Sequence, residues 1–567
     1  MRTLSLCLSV MLAGALTACM GSAPRAPDVD SAAPPDPGAG PAPTGDANSH
    51  LVVAEIALQR GDYQAAAAEY AAAARLSDDP KLAAQATQVS FEAGQPSPAV
   101  VSARRWLELE PSAADARRYL AVSALRLYRI DEAEKHFDYL LRETYETPEE
   151  GFTDLTGVLV DEDDSYGSFL ITQKLAAKHP KVPEAQYALS VAALRAYNYD
   201  LAVASARKAL RLNKDYVDAE RLLARSLVVN GENEEGLQIA RKRAATDGDA
   251  TSKLEVAMLL IASGDDAGAR KELAQLRELP DTKVEALRML GALELSAGRF
   301  EEATAHFQEL VASGRHVSLA LYSLGSIHER RREELRAVRY YARVTSGPYA
   351  VDAQLRAAKL LALSDQREQA NKLLDDYVEE NPGVEADLVV GRARLLADEG
   401  DPETALALLD AARDRYPDHT TLRYARAITL ERLERAPEAI GELKELLARR
   451  PGDPVALNAL GYTMAEHGQD IEDAHEMIRQ SLSMTPDNPA VQDSLGWSLF
   501  RAGDAKGALK WLERAYETEK DAEIAAHIGE VYWTLGDKAK ARGIWDQALA
   551  DDPTHRYLLE TMRRHPD

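Results

Sequence analysis

An all-α solenoid is the fold class this sequence predicts. Three observations predict it: a helix-turn-helix phrase that recurs about every 34 residues, a register of small residues with the same period, and a composition suited to packed helices. The period is plainest between Asn488 and Pro553, where one phrase stands twice. In each copy a glycine, Gly496 then Gly529, sits in a first apolar helix. A Gly-Asp turn follows, Gly503-Asp504 then Gly536-Asp537, and a second helix carries Ala508 then Ala541 at the matching place. Aromatic residues are 6% of the chain and charged residues 28%, which suits many amphipathic helices better than a β-rich core.

Stepping backwards from Ala541 at the same spacing gives Ala508, Ala474, Ala439, Ala405, Ala370, Ala337, Ala303 and Ala269. The ladder continues through Gly236, Ala202, Ser168, Ala133, Ala99 and Ala65, so about fifteen hairpins are expected. Two further registers support it. Twelve residues after a marker stand Pro111, Pro180, Pro382, Pro417, Pro451, Pro486 and Pro553, where one helix must stop before the next begins. Twelve residues before a marker the residue is again small in most units, as at Ala121, Ser190, Ala257, Gly291, Gly325, Gly496 and Gly529. Small side chains at both places let the two helices approach closely, while Phe137, Phe307, Tyr341 and Trp545, one turn further on, fill the adjacent holes.

These residues resemble the tetratricopeptide repeat (TPR), a 34-residue helical hairpin, over about residues 49 to 560. The resemblance implies a TPR alpha-solenoid, a right-handed superhelix of about fifteen hairpins. The units marked by Ala65 and Gly236 lack several signature residues, and the unit marked by Ser168 carries an acidic inter-helix segment from Asp161 to Gly167. The expected organisation is a solenoid over 49–553 and a C-terminal capping helix over 554–567, whose charged outer face closes the stack.

The N-terminus reads differently. Arg2 is followed by an apolar run from Leu4 to Leu16 that is too short to make a stable transmembrane helix, so 1–18 is expected to be a cleaved signal peptide. Leu16-Thr17-Ala18-Cys19 resembles the lipobox of bacterial lipoproteins, which implies lipidation of Cys19. Met20 is not the aspartate that commonly retains such lipoproteins in the inner membrane, so the resemblance implies the periplasmic side of the outer membrane of a Gram-negative bacterium. Removal of Cys7 and acylation of Cys19 leave no thiol for a disulfide or a nucleophile. Seven prolines between Pro24 and Pro43 make 19–48 a semi-extended tether that holds the rest away from the membrane.

Motifs that would carry catalysis are missing: no phosphate-binding glycine loop, no HExxH, no nucleophile elbow and no CxxC pair. The histidines, among them His136, His306, His328, His467 and His527, fall in different units without ligand spacing and read as packed or solvated side chains. Asp161, Asp163, Ser165 and Gly167 imitate a calcium loop, but the glycine is one place late and the twelfth position is Thr172. The segment reads instead as a solvated acidic turn that caps the next helix. Catalytic residues, metal ligands and cofactors are therefore not expected. An excess of 92 acidic over 67 basic residues gives a net charge of −25, which disfavours nucleic acid as a partner.

The expected function lies on a surface. In the tetratricopeptide family the first helix of each hairpin lines a concave groove. The resemblance places Tyr424, Asn458, Tyr462, Asp493, Trp497, Phe500, Glu530 and Trp533 there as partner-binding residues. Five of the eight are aromatic, which suits an extended peptide or protein segment, and burial against the next hairpin is the competing reading. Trp497 and Phe500 are expected to be the accessible ones, and Trp511 and Trp545, on second helices, to be core.

The phrases Ala456–Tyr462, Asp493–Trp497 and Ala525–Glu530 resemble the C-terminal part of the lipoprotein adaptor of a periplasmic carboxyl-terminal processing protease. That resemblance implies a scaffold that docks the protease and its substrates, cell-wall hydrolases. Lipoprotein scaffolds of exopolysaccharide or other envelope export machines share the same combination of lipobox and repeats. A periplasmic cell-wall enzyme is a third reading, and it lacks both a motif and room for an inserted domain.

Overall fold

A computed structural model describes residues 45–398, 400–450, 452–551 and 555–566. The signal peptide, Cys19 and nearly all of the tether lie outside the described residues. Among those described, the regular elements are helices, and they alternate as the register requires. The last full hairpins pair Pro489–Arg501 with Ala505–Thr518 and Ala522–Thr534 with Lys538–Asp551. The first helix begins at Ala47, capped by Asp46, two residues before the expected start of the solenoid at 49.

The reason each hairpin closes is visible in its two small positions. Every second-helix marker except the half-buried Ala65 is buried. A Cβ added to Gly496 would stand 2.6 Å from Leu512 Cγ, one on Gly325 2.6 Å from the Tyr341 ring, and one on Gly291 2.8 Å from the Phe307 ring. One on Gly529 would overlap the Trp545 indole. Large second-helix side chains thus occupy the space that the glycine hydrogens vacate. The turn between the helices needs a left-handed residue. Gly503 (φ 92°) and Gly536 (φ 87°) supply it, and Asp504 then caps the second helix by accepting from the Gly507 amide at 2.9 Å. Elsewhere the same turn position is filled by residues for which a left-handed backbone is strained, among them Tyr128 (φ 56°), Tyr197 (φ 56°) and Glu434 (φ 58°).

The chain divides into two compact units, each built from two stretches distant in sequence. One comprises the described residues of Gly40–Leu120 together with Val217–Leu433. Its stretches meet where the Ser97 hydroxyl donates to the Asp418 carboxylate. A core cluster around Tyr322, Tyr341, Leu374 and Tyr377 lies within the second stretch.

The other unit comprises Ala121–Tyr216 and Glu434–Asp567. Arg450 joins its stretches. Its guanidinium pairs with Asp164 at 2.6 Å and Asp453 at 2.8 Å and lies 4.9 Å from the Tyr128 ring centroid. The Tyr128 hydroxyl donates to the Gly452 carbonyl at 3.1 Å. Asp164 also caps helix Ser165–Lys178 by accepting from the Gly167 amide at 2.8 Å. The cap is the one the acidic turn predicts, but Asp164 is not solvated. Burial raises its pKa against the pull of Arg450. Met484 adds an apolar contact to the cluster of Tyr128, Tyr166 and Phe169.

Candidate partner-binding face

Eight consecutive residues of helix Pro489–Arg501, Val491 to Ser498, are buried, as are eight of helix Ala522–Thr534, Ile524 to Val531. A helix covered on one side by its own hairpin and on others by its neighbours still leaves one face to solvent in a regular stack. All-round burial means that this remaining face is covered too.

Its centre is His527, a side chain with no exposed area. Nδ1 lies 2.9 Å from the Asp493 carboxylate, which is itself 7% exposed. The imidazole stacks on Trp497, with centroids 4.1 Å apart and planes at 22°. Burial opposes a charge on the ring, but the bonded Asp493 carboxylate, with Glu523 and Glu530 nearby, outweighs it and lifts the His527 pKa to about 9. His527 is therefore an imidazolium at neutral pH. Its Nε2 is buried without a hydrogen-bond partner. Trp497 Nε1 donates to Glu466 at 2.7 Å, and Phe500 packs beside it at 5.3 Å between centroids.

The sequence-predicted residues distribute as follows. Asn458, Tyr462, Asp493, Trp497, Phe500, Glu530 and Trp533 all belong to the unit that contains Glu434–Asp567. Tyr424, half-buried on helix Thr420–Arg432, belongs to the other unit. Tyr462 reaches Glu523 at 3.5 Å, and burial drives its phenol pKa well up. Asn458 Oδ1 is buried and unpaired. Trp497 differs from expectation. It is 3% exposed and so forms part of the core rather than an accessible anchor, while Phe500 is half-buried. Trp545 is fully buried as expected, and Trp511 is half-buried.

The cover is the chain's own C-terminal helix, Arg556–Arg564. It packs chiefly on the first helix of the last hairpin, Ala522–Thr534, and less on the second. Tyr557 stands edge-on to His527 with centroids 5.5 Å apart, and Leu558 is fully buried beside Trp545. Glu530 receives Arg564 at 3.1 Å and His565 at 3.2 Å, and the His565 ring lies 5.3 Å from Trp533 and 5.7 Å from Trp545. This helix falls within 554–567, and the helix it packs on carries Glu530 and Trp533 of the sequence-predicted groove.

His527 was visible in the sequence only as one of several scattered histidines. The usable signal was its distance from Asp493, 34 residues, one full repeat. Other polar pairs bridge similar spans, including Arg126–Glu162, Arg225–Glu255 and Arg277–Glu309. Among the described residues no group of three or more histidine, cysteine or acidic side chains could hold a metal ion, and no helix is long and apolar enough to cross a membrane.

Fold and face together define a helical-repeat protein whose last hairpin is covered by the chain's own C-terminal helix. A tetratricopeptide-repeat family model matches residues 91–145, 288–351, 390–454 and 465–524. A TPR repeat-containing protein of Pseudomonas aeruginosa is 32% identical over 214 residues, covering 38% of this chain and 36% of that protein. A second TPR repeat-containing protein of the same organism is 34% identical over 83 residues, 14% of this chain and 77% of that one. This chain belongs to the tetratricopeptide-repeat family. It spans about a third of the length of the first of these relatives. Among solved structures, a thermophilic TPR protein of Thermus thermophilus aligns with a TM-score of 0.29 and 21% identity, covering 32% of this chain and 96% of that one.

Proposed function

We propose that this protein is a lipid-anchored adaptor on the periplasmic face of the outer membrane, which docks a carboxyl-terminal processing protease and brings its cell-wall hydrolase substrates to it. The family membership supplies the protein-binding scaffold. The observation that carries the finer reading is that the three adaptor-like phrases, Ala456–Tyr462, Asp493–Trp497 and Ala525–Glu530, stand in one unit, where Asp493 and Trp497 meet around His527 and Glu530 joins the same helix face. The lipobox ending at Cys19 supports the anchor.

Capture with the lipidated full-length protein tests the reading. Recovery of a periplasmic processing protease is expected, and recovery of polysaccharide secretion components without a protease defeats it. Replacing Cys19 with serine should move the protein from the membrane to the soluble fraction, and an unchanged membrane fraction would refute the anchor.

A further inference from the structure

We propose that the face formed by Asp493, Trp497, His527 and Glu530 is a helix-binding site that the chain closes with its own C-terminal segment, and that a partner opens it by presenting a basic amphipathic helix of the same pattern. The proposal rests on reading this face as the partner-binding surface, and it adds the chemical class of the partner and the way access is controlled.

The bound segment displays the pattern. Tyr557, Leu558, Thr561, Arg564 and His565 fall at i, i+1, i+4, i+7 and i+8, one face of a helix and its C-cap. The first residue of this face meets His527, the second enters the core beside Trp545, and the two basic groups meet Glu530 two turns later. A matching partner helix thus carries an aromatic and an aliphatic side chain followed by paired basic groups.

Three features mark the self-contact as displaceable. Only Leu558 and Thr561 of the helix are buried. The Arg564 side chain remains 54% exposed although Glu530 beneath it is 10% exposed, so the ionic anchor is open to competition from solvent and salt. Two hydrogen-bonding atoms at the contact, His527 Nε2 and the Tyr557 hydroxyl, are buried without partners. Leaving both unpaired costs the self-contact free energy that a ligand with a matching polar atom would recover.

A fluorescent peptide with the sequence of residues 555–567 serves as probe against the full-length chain. In the intact chain the tethered helix competes at high effective concentration, so the peptide should bind weakly. The chain carrying Leu558→Asp and Arg564→Glu should bind it at least tenfold more tightly, and adding Glu530→Arg should abolish that gain. Equal peptide binding by intact and released chains, or a gain indifferent to Glu530→Arg, overturns the proposal. If the double variant loses helicity, Arg564→Glu alone, at a largely exposed side chain, gives the same comparison with a gain of about threefold. Because no protease enters this experiment, its failure is distinguishable from failure of the adaptor reading.

Discussion

His527 and Asp493, one repeat apart, form an ion pair 2.9 Å long around an imidazole that solvent does not reach. The pair stabilises the protonated ring, whose pKa rises from its ordinary 6.5 to about 9. A group raised in the folded state contributes its full stabilisation below the unfolded pKa and loses it as pH climbs through the folded one. The C-terminal hairpins should therefore weaken between about pH 6.5 and 9, by about 3 kcal/mol at most. Thermal melts of the wild type and of Asp493→Asn across this range check it. The variant should be less stable at pH 6.5 by about 3–5 kcal/mol, since a buried imidazolium loses its counter-charge, and its pH slope should flatten. A wild-type melt that does not change between pH 6.5 and 9 contradicts the pairing.

Trp497→Ala should act on stability before it acts on binding. The indole is 3% exposed, stacks on His527 and donates to Glu466, so its removal leaves a cavity and takes one of two donors from Glu466 Oε2, which keeps Arg501 at 3.1 Å. A loss of about 3–5 kcal/mol is expected, with a smaller loss of about 1–2 kcal/mol for the half-buried Phe500→Ala. Denaturant unfolding of the two single variants distinguishes them. Unchanged stability in Trp497→Ala would restore the tryptophan to the list of free anchors.

The contrast between what was and was not legible follows from the range of each contact. The hairpin, its period and its glycine-to-aromatic packing depend on residues about 12 to 16 apart, and Gly291 with Phe307 or Gly325 with Tyr341 repeat that offset in the sequence. Sequence spacing places Asp493 and Trp497 four residues apart on one face of one helix. It does not show what lies over that face, because the cover is supplied by Tyr557 and Leu558, outside the repeat. Arg450 and Asp164 are separated by 286 residues, and no period predicts which units about eight repeats apart will touch. In the acidic turn Asp161 and Asp163 are exposed, as a solvated cap requires, while Asp164, the capping residue, is drawn largely out of solvent by Arg450.

Glycine position separates packing from propensity within one hairpin. Gly529 and Gly543 both lie in helices, but a Cβ at Gly529 would overlap the Trp545 indole, while one at Gly543 meets nothing within 4 Å. Gly543→Ala should therefore gain about 0.5–1 kcal/mol from helix propensity. Gly529→Ala should lose about 1–3 kcal/mol from overpacking. Melting temperatures of the two variants are the test, and a shared sign would mean that Trp545 does not fill the space over Gly529.

Arg450 lies between two carboxylates and over the Tyr128 ring, so removing it strands Asp164 and Asp453 in a buried setting. Arg450→Ala should cost about 3–5 kcal/mol, and lysine, which cannot fork between two acids, should recover only part. Tyr128 tests the same junction through the backbone. It holds φ 56°, as Glu434 holds φ 58° at the equivalent turn of another hairpin. Glu434 is exposed, so Glu434→Gly should relieve the strain and stabilise by about 1 kcal/mol. Tyr128→Gly relieves the same strain but forfeits a ring that is 3% exposed, its contact with Arg450 and its bond to Gly452. The expected balance is a net loss of about 2–3 kcal/mol, since aromatic burial and the cation contact outweigh the turn strain. Chemical unfolding of both glycine variants reads the sign directly. Stabilisation by both would show that the tyrosine at this turn contributes nothing to joining the two stretches of its unit.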